Sequence, residues 1–371
     1  MPNKKVHKKL AVGVVGCGNI SNAYFSHAKH FESMEIVACA DIFPQAAKAK
    51  AKEFNIKAMT VSALMKSKSI DIILNLTIPQ AHAEVNKQAL NAGKHVYCEK
   101  PFALNLEEAQ EVIELSKKKS LRVGCAPDTF LGAGHQNARK IIDDGWLGDV
   151  ISGTAFMMCA GHESWHPNPG FYYLEGGGPV LDMGPYYITA LVNMLGPVES
   201  VSAMARKSED RIVGSQPKKG EVLPVEVNTH TAGLLKFKSG AIITLIMSFD
   251  TVKTSNHCIE LHGTNGSLKV PNPNGFGGNV EYCRRGQKEF QTIPMTHQYA
   301  DNSRSIGVAD MAHAINHKID HKVSGDLAYH VLEVMLALDD SAEKQKFVKI
   351  KSNCSKPEAL AVGLLDGKLD I

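Results

Sequence analysis

The stretch that most narrows the possible folds lies near the start of the chain. An apolar run of strand length, Leu10-Ala11-Val12-Gly13-Val14-Val15, leads straight into Gly16-Cys17-Gly18-Asn19-Ile20-Ser21, and residues 22–27 after it suit a helix. Strand, glycine turn and helix in that order place backbone amides and the positive end of a helix where a pyrophosphate binds. Gly16 allows the tight turn, and Gly18 withholds a side chain that would block the phosphates. Ser21 stands in the place of a third glycine, so a slightly wider helix–strand contact is expected. The next strand, 35–40, ends in Asp41, 23 positions past Gly18. A carboxylate there accepts hydrogen bonds from ribose hydroxyls and repels a 2′-phosphate. Ile42 and Phe43 follow, with no basic side chain to offset it, so the predicted cofactor is NAD rather than NADP; the competing reading of Asp41 is a plain turn residue.

Strands and helices then alternate. Residues 44–54 read as a helix, 58–61 as a short strand, and 71–76 as a buried strand ending in Thr77-Ile78-Pro79. A helix over 82–92 closes at Gly93, and His95-Val96-Tyr97-Cys98 forms a strand that ends in Glu99-Lys100-Pro101. Asn105 opens a capped helix running to Lys119, and 121–124 is one more strand. Such alternation implies right-handed βαβ units around a parallel sheet. A chain of 371 residues is too long for one compact core. The expected division is a Rossmann dinucleotide-binding domain over 1–126 and an α+β domain over 127–371, an α/β protein overall.

In the second part, 134–144 and 183–195 read as helices, and strands are expected over 150–158, 198–203, 225–237 and 241–249, with a hairpin turning at Asn265-Gly266. Weaker strands are expected at 280–283 and 289–293, and helices over 308–319 and 327–344 precede a last strand at 347–350. The run Ala241-Ile242-Ile243-Thr244-Leu245-Ile246-Met247 is apolar throughout, so both faces of its sheet need cover. Helices on one face and a second copy of the chain on the other would provide it, which predicts a homodimer or homotetramer.

Charge and cysteine usage exclude other classes. A formal net charge of +3, with no basic block beyond Lys117-Lys118-Lys119, gives no nucleic-acid footprint. The apolar run after the lysines of the first nine residues is short and broken by glycine, so neither a signal peptide nor a membrane span is expected. Eight cysteines without a C-x-x-C pair read as reduced thiols of a cytoplasmic protein.

Three segments together resemble the glucose–fructose oxidoreductase/inositol dehydrogenase (Gfo/Idh/MocA) family. They are Gly16-Cys17-Gly18-Asn19-Ile20, Thr77-Ile78-Pro79 with His82, and Gly93-Lys94-His95-Val96-Tyr97-Cys98-Glu99-Lys100-Pro101. The resemblance continues through Gly176-Gly177-Gly178-Pro179-Val180-Leu181-Asp182-Met183-Gly184-Pro185-Tyr186 and the hairpin segment 258–268. It implies a second domain with a large, open, mostly antiparallel sheet. It implies cofactor contacts at Gly16, Gly18, Asn19, Ile20, Asp41, Thr77, Pro79, His82, Glu99 and Lys100. It assigns Lys100, Asp182 and the residue four later to the catalytic group. That residue is Tyr186 where most members carry histidine, though some members use tyrosine there. A spacing of four puts Asp182 and Tyr186 on one helix face. A phenol with pKa ~10 needs a nearby cation to serve as base, and Lys100 and the helix N-terminus are the candidates. The implied reaction oxidises a secondary alcohol: Tyr186 takes the hydroxyl proton, Lys100 stabilises the oxygen, and Asp182 orients the substrate. A packing role is the plain alternative for Tyr186.

The loop Gly161-His162-Glu163-Ser164-Trp165-His166-Pro167 matches the zinc-protease pattern H-E-x-x-H, but that chemistry needs a helix, and glycine and proline flank the motif. No metal site is predicted. The resemblance makes the loop a pocket wall, with Trp165 and His166 as substrate contacts and His166 as the rival acid–base group; His162 reads as well as a polar surface residue. Asp128 stands where many members have arginine, which favours a neutral polyol or sugar over an anionic substrate. A bent, cis Lys100–Pro101 bond is expected to aim Lys100 inward. The alternatives are a non-catalytic dinucleotide-binding regulator of the same family and a zinc hydrolase.

Overall fold

The computed structural model describes residues 8–370, which pack as two units. The first is built on β1 (Leu10–Val15), β2 (Met34–Ala40), β3 (Lys57–Met59), β4 (Ile72–Asn75), β5 (His95–Cys98) and β6 (Val123–Cys125). They form one sheet in the order β3-β2-β1-β4-β5-β6, and every pairing is parallel. This is the doubly wound dinucleotide-binding order, in which the sequence of strands reverses between β1 and β4. Its centre reads as continuous apolar runs because both faces are covered: Val12, Val14, Ile72, Ile73, Leu74, Val96 and Tyr97 are fully buried. The helices are α1 (Ser21–Ala28), α2 (Pro44–Phe54), α3 (Val61–Lys66), α4 (His82–Asn91) and α5 (Leu106–Lys119). Pro44 occupies the first turn of α2, and Asn105 caps α5 by accepting from the Glu108 amide at 2.8 Å. Val61, expected in a strand, instead opens α3. Thr60 supplies the cap there, its Oγ1 accepting from the Ala63 amide at 3.2 Å.

The second unit contains α6 (Ala133–Asp143), β7 (Val150–Met158), α7 (Gly178–Leu195), β8 (Val198–Arg206), β9 (Arg211–Ile212), β10 (Val222–Leu223), β11 (His230–Phe237), β12 (Ile242–Ser248), β13 (Ile259–Gly263), β14 (Gly266–Val270), β15 (Val280–Arg284) and β16 (Gln291–Ile293). After α8 (Ile306–His317) come α9 (Gly325–Lys344) and β17 (Val348–Lys349). Nine strands line up as β16-β15-β14-β13-β7-β12-β11-β8-β17, and only the β7–β12 pairing is parallel. The large, mostly antiparallel sheet is therefore present. Helix α7 covers β7, β11 and β12, and α6 covers β14 and β15. On β12 the apolar run does alternate in its surroundings: Ile243, Leu245 and Met247 are buried under the helices, while Ile242 is 47% exposed.

Two expectations need correction. Helix α7 starts at Gly178, five residues before the predicted start, because Pro179 suits a first turn and Gly177 provides an extended N-cap. The division of the chain is also not a single cut after 126. The first unit runs to Gly132 and takes back Thr296–Tyr329 and Pro357–Ile371, which the second unit, Ala133–Met295 with His330–Lys356, does not include. Helix α8 thus belongs to the first unit, and the division runs through α9. Among the described residues no helix is long and apolar enough to cross a membrane.

Candidate active site

In the first unit, the turn after β1 carries the features a dinucleotide requires. Gly16 has φ +102°, and a Cβ there would lie 2.4 Å from the Leu76 carbonyl oxygen, so only glycine fits. Gly18 faces open space, and it, Asn19 and Ile20 are exposed. No side chain caps the N-terminus of α1, whose Ser21, Asn22 and Ala23 amides donate to the Gly18, Asn19 and Ile20 carbonyls of the turn itself. Ser21 donates its hydroxyl to the Gly18 carbonyl at 2.6 Å, which draws the turn onto the helix. Asp41 lies at the end of β2 and is fixed by its neighbours: Oδ2 accepts from the Cys17 amide at 2.7 Å and Oδ1 from the Phe43 amide at 2.8 Å. A cradle that would accept phosphates and a carboxylate oriented toward the same turn fit NAD. Exposed Ile42, Phe43 and Ile78 add apolar surface at the same strand ends.

Thr77, Pro79 and His82 form a second cluster after β4. Asn75, fully buried, accepts from the Thr77 hydroxyl at 2.7 Å and donates to the His82 carbonyl at 3.1 Å and the Asn86 side chain at 2.8 Å. Pro79 begins a short 3-10 turn. The His82 ring lies between two carbonyl oxygens, that of Pro101 at 2.7 Å from Nδ1 and that of Thr77 at 2.9 Å from Nε2. Burial works against the charged ring. The Cys98 thiol beside it and the two carbonyls outweigh burial and raise its pKa to about 9. His82 is thus a buried strap between the β4 and β5 loops rather than a surface for ligand.

Glu99 is 7% exposed and spoken for: Oε1 accepts from the Tyr24 hydroxyl at 2.7 Å and Oε2 from the Lys100 amide at 2.9 Å. It braces the strand end on which Lys100 stands, and the Lys100–Pro101 bond is cis as expected. Asp128 does not fit its expected role as a substrate contact. Its side chain is fully buried, with Oδ1 accepting from Arg304 and Oδ2 from the amides of Ser305 and Gly307, each at 3.2 Å. Burial pushes its pKa up and the Arg304 guanidinium opposes that. The residue is structural, because its cation arrives from a segment 176 positions later.

In the second unit, Asp182 and Tyr186 both lie in α7, whose other residues, Met183 aside, are buried. The glycine run before it is required sterically, since a Cβ at Gly177 would lie 2.5 Å from the Phe171 carbonyl oxygen. Asp182 Oδ2 is 3.5 Å from His162 Nε2, long for a hydrogen bond and an ion pair only where the imidazole carries a second proton. His162 packs edge-on against Trp165 and Phe249, at 5.3 and 4.7 Å between ring centroids, and against Tyr172 at 4.1 Å. Neither of its ring nitrogens has a hydrogen-bond partner. His162, which reads from sequence equally as a pocket residue or a polar surface residue, is therefore the imidazole that meets the carboxylate of α7. His166 instead accepts from the Asn168 amide at Nδ1, 3.0 Å away. Trp165 is 59% exposed, and Phe171 and Tyr172 stack next to it around the His166 ring.

The H-E-x-x-H segment is turn and bend, not helix, which removes the geometry a zinc protease needs. Its Glu163 is occupied otherwise, bonded to the Tyr173 hydroxyl and, at 2.7 Å, to Arg211. Burial alone would raise that carboxyl, but the Tyr173 hydroxyl and Arg211 hold it below its ordinary pKa. Arg211 also binds Asp250 and the carbonyls of Ala160 and Phe249, and its guanidinium lies over the Tyr173 ring at 5.1 Å. This hub orients the His162 loop. Sequence reasoning passed over it because nothing local marks Arg211 as the partner of a glutamate 48 positions earlier.

Residues 10–126 match the model of the GFO/IDH/MocA oxidoreductase family, NAD-binding Rossmann fold, and residues 135–269 match that of the GFO/IDH/MocA C-terminal domain; together they span more than half of the chain. An uncharacterised oxidoreductase of Schizosaccharomyces pombe is 31% identical over 239 residues, which is 59% of this chain and 63% of that protein, under two thirds of its length. Inositol 2-dehydrogenase of Rhizobium meliloti is 25% identical over 79% of this chain and 86% of its own length. The solved structure of levoglucosan dehydrogenase in complex with NADH has the same fold, with a TM-score of 0.81 at 21% identity over 93% of this chain and all of that one.

Proposed function

The chain belongs to the Gfo/Idh/MocA family of oxidoreductases, with an NAD-binding Rossmann domain, and from that premise we propose that it is a dehydrogenase oxidising a secondary alcohol of a sugar, glycoside or cyclitol. The observation that carries a catalytic reading over a purely binding one is the acid–base set of the second unit. A carboxylate, Asp182, stands one helical turn from the phenol of Tyr186 and 3.5 Å from the imidazole of His162. A binding module has no need of such a set.

Gly16, Gly18, Asn19 and Ile20 would hold the phosphates of NAD and Asp41 its ribose, while Thr77 and Pro79 border the same strand ends. When bound, NAD supplies the hydride acceptor. Tyr186 takes the proton of the substrate hydroxyl, and Asp182 orients the neighbouring hydroxyls. Lys100 donates a hydrogen bond to the reacting oxygen and stabilises the negative charge that develops there. The exposed Trp165 and Phe171 offer aromatic faces to the C–H surface of a carbohydrate, which supports a sugar-like substrate, as do relatives such as inositol 2-dehydrogenase. Asp41 favours NAD over NADP. The open face of the nine-stranded sheet, with Met204, Leu234 and Ile242 exposed, supports a homo-oligomer that light scattering tests directly.

The deciding experiment incubates the protein with NAD and a panel of neutral sugars and cyclitols and follows NADH absorbance. NADH formed by the wild type and lost in Tyr186→Phe supports the proposal. NAD binding without turnover on any substrate of the panel overturns it in favour of a non-catalytic regulator.

A further inference from the structure

Helix α8 of the first unit carries His313 and His317 one turn apart, their rings stacked at 4.1 Å between centroids and 20° between planes. The C-terminal segment brings Asp370 to them. One ligand atom from each of the three lies within 4.8 Å of the other two. The arrival of Asp370 is set by firm anchors just before it. Tyr299 donates its hydroxyl to the Lys368 carbonyl, the Glu32 amide donates to the Gly367 carbonyl at 3.2 Å, and Leu364 and Leu369 are buried. His313 is 9% exposed, while His317 and Asp370 lie at the surface, so an ion has a way in and its two outer ligands have room to turn.

We propose that His313, His317 and Asp370 bind a divalent transition-metal ion of the zinc class, which fastens the C-terminal segment to α8. The donor chemistry selects the ion. Two imidazoles with one carboxylate suit zinc or its first-row neighbours, whereas calcium and magnesium require shells dominated by oxygen. Bonds of about 2.0–2.2 Å place tetrahedral donors about 3.3 Å apart, so the three side chains close by at most about 1.5 Å and leave the fourth position to water. The carbonyls at the end of α8 add negative potential at its last turn, where His317 lies. The site lies outside every group assigned to the reaction. It is a structural clip, present whether or not the proposed dehydrogenase activity is correct. Sequence alone gives no sign of it, because His-x-x-x-His becomes a site only with a carboxylate 53 positions further on.

The test uses the untagged full chain, stripped with a chelator and titrated with zinc chloride by calorimetry at neutral pH, with magnesium chloride as control. We expect one zinc per chain with micromolar or tighter affinity, no response to magnesium, and a melting temperature raised by about 4 °C at saturating zinc. The surface variants His317→Ala and Asp370→Asn keep the buried His313 and the fold, and each weakens zinc at least tenfold. Zinc also slows carboxypeptidase trimming of the wild type but not of the double variant. Absence of zinc binding overturns the proposal, and so does zinc binding of unchanged affinity in the His317→Ala, Asp370→Asn double variant, which would locate the metal at other histidines or thiols.

Discussion

Replacing Arg211 with methionine tests whether the loop that presents His162 to Asp182 is held by a single cation. The side chain of Arg211 is 14% exposed and contacts Glu163 at 16% and Asp250 at 26%. Methionine keeps much of the stem that lies over Tyr173 but removes the charge, leaving two partly buried carboxylates without their cation. Removing one partner of a buried pair costs about 3–5 kcal/mol, and the partial exposure here brings the expectation to about 3 kcal/mol. Urea unfolding at pH 7 measures it. Arg211→Met with Glu163→Gln recovers part of the loss, since the glutamine is neutral and still accepts from Tyr173. The same substitution releases the 160–173 loop, and a displacement of about 1 Å at a reacting group costs about 100-fold in kcat/KM. The low pKa of Glu163 adds a pH signature: its stabilisation is fully present above the ordinary carboxyl range and is lost as pH falls below that range through the lowered pKa of the folded state, so wild type and variant converge in acid. An Arg211→Met protein within about 0.5 kcal/mol of wild type, with unchanged kinetics, refutes the hub.

Lys100→Met and Tyr186→Phe each lower kcat by about 100-fold or more with little change in melting temperature, measured by steady-state NADH formation. Asp41→Ala raises the KM for NAD by about tenfold or more and narrows the preference over NADP, because the ribose hydroxyls lose a charged acceptor. His330 is fully buried, its Nε2 accepting from the Val198 amide at 3.0 Å and its Nδ1 paired with the Ser352 hydroxyl at 2.8 Å, and burial lowers its pKa to about 4. A base lowered in this way stabilises the fold fully above pH ~6.5 and loses that contribution as pH falls toward about 4. The loss amounts to about 3 kcal/mol at ~1.4 kcal/mol per pH unit. His330→Gln removes that part of the acid slope in urea unfolding, and parallel curves for the two proteins would show that His330 is not its source.

Most of the first unit is legible in sequence because strands covered on both faces must be apolar throughout, and some helices between them carry local signals, such as Pro44 in the first turn of α2 and the Asn105 cap of α5. The turn at Gly16 and the acid at Asp41 are legible for a related reason: backbone geometry leaves few residues able to stand there. What fails is whatever depends on distant chain. The return of Thr296–Tyr329 and Pro357–Ile371 to the first unit has no periodic signature, and the early start of α7 hides in a glycine run that reads as loop. His162 shows the same limit at the site. Its motif suggests a metal, whereas its aromatic surroundings and the Asp182 contact come from segments far along the chain.

Asp128 and Asp182 read alike in sequence, as two acids poised for substrate, and the structure separates them by what surrounds their oxygens. Asp128 is sealed, its charge met by Arg304 and two backbone amides. Asp182 retains 17% of its side-chain surface and faces an imidazole across 3.5 Å. An acid neutralised by a fixed guanidinium serves the fold, and an acid beside a group that can gain or lose a proton serves chemistry. The two isosteric variants should therefore part company. Asp128→Asn removes the charge that Arg304 and two backbone amides meet and costs about 3 kcal/mol of stability, while the protein that still folds keeps its turnover. Asp182→Asn changes stability by less than about 1 kcal/mol and lowers kcat by about 100-fold. Measured side by side by urea unfolding and steady-state kinetics, the opposite pairing of effects would return the substrate to Asp128 and remove it from α7.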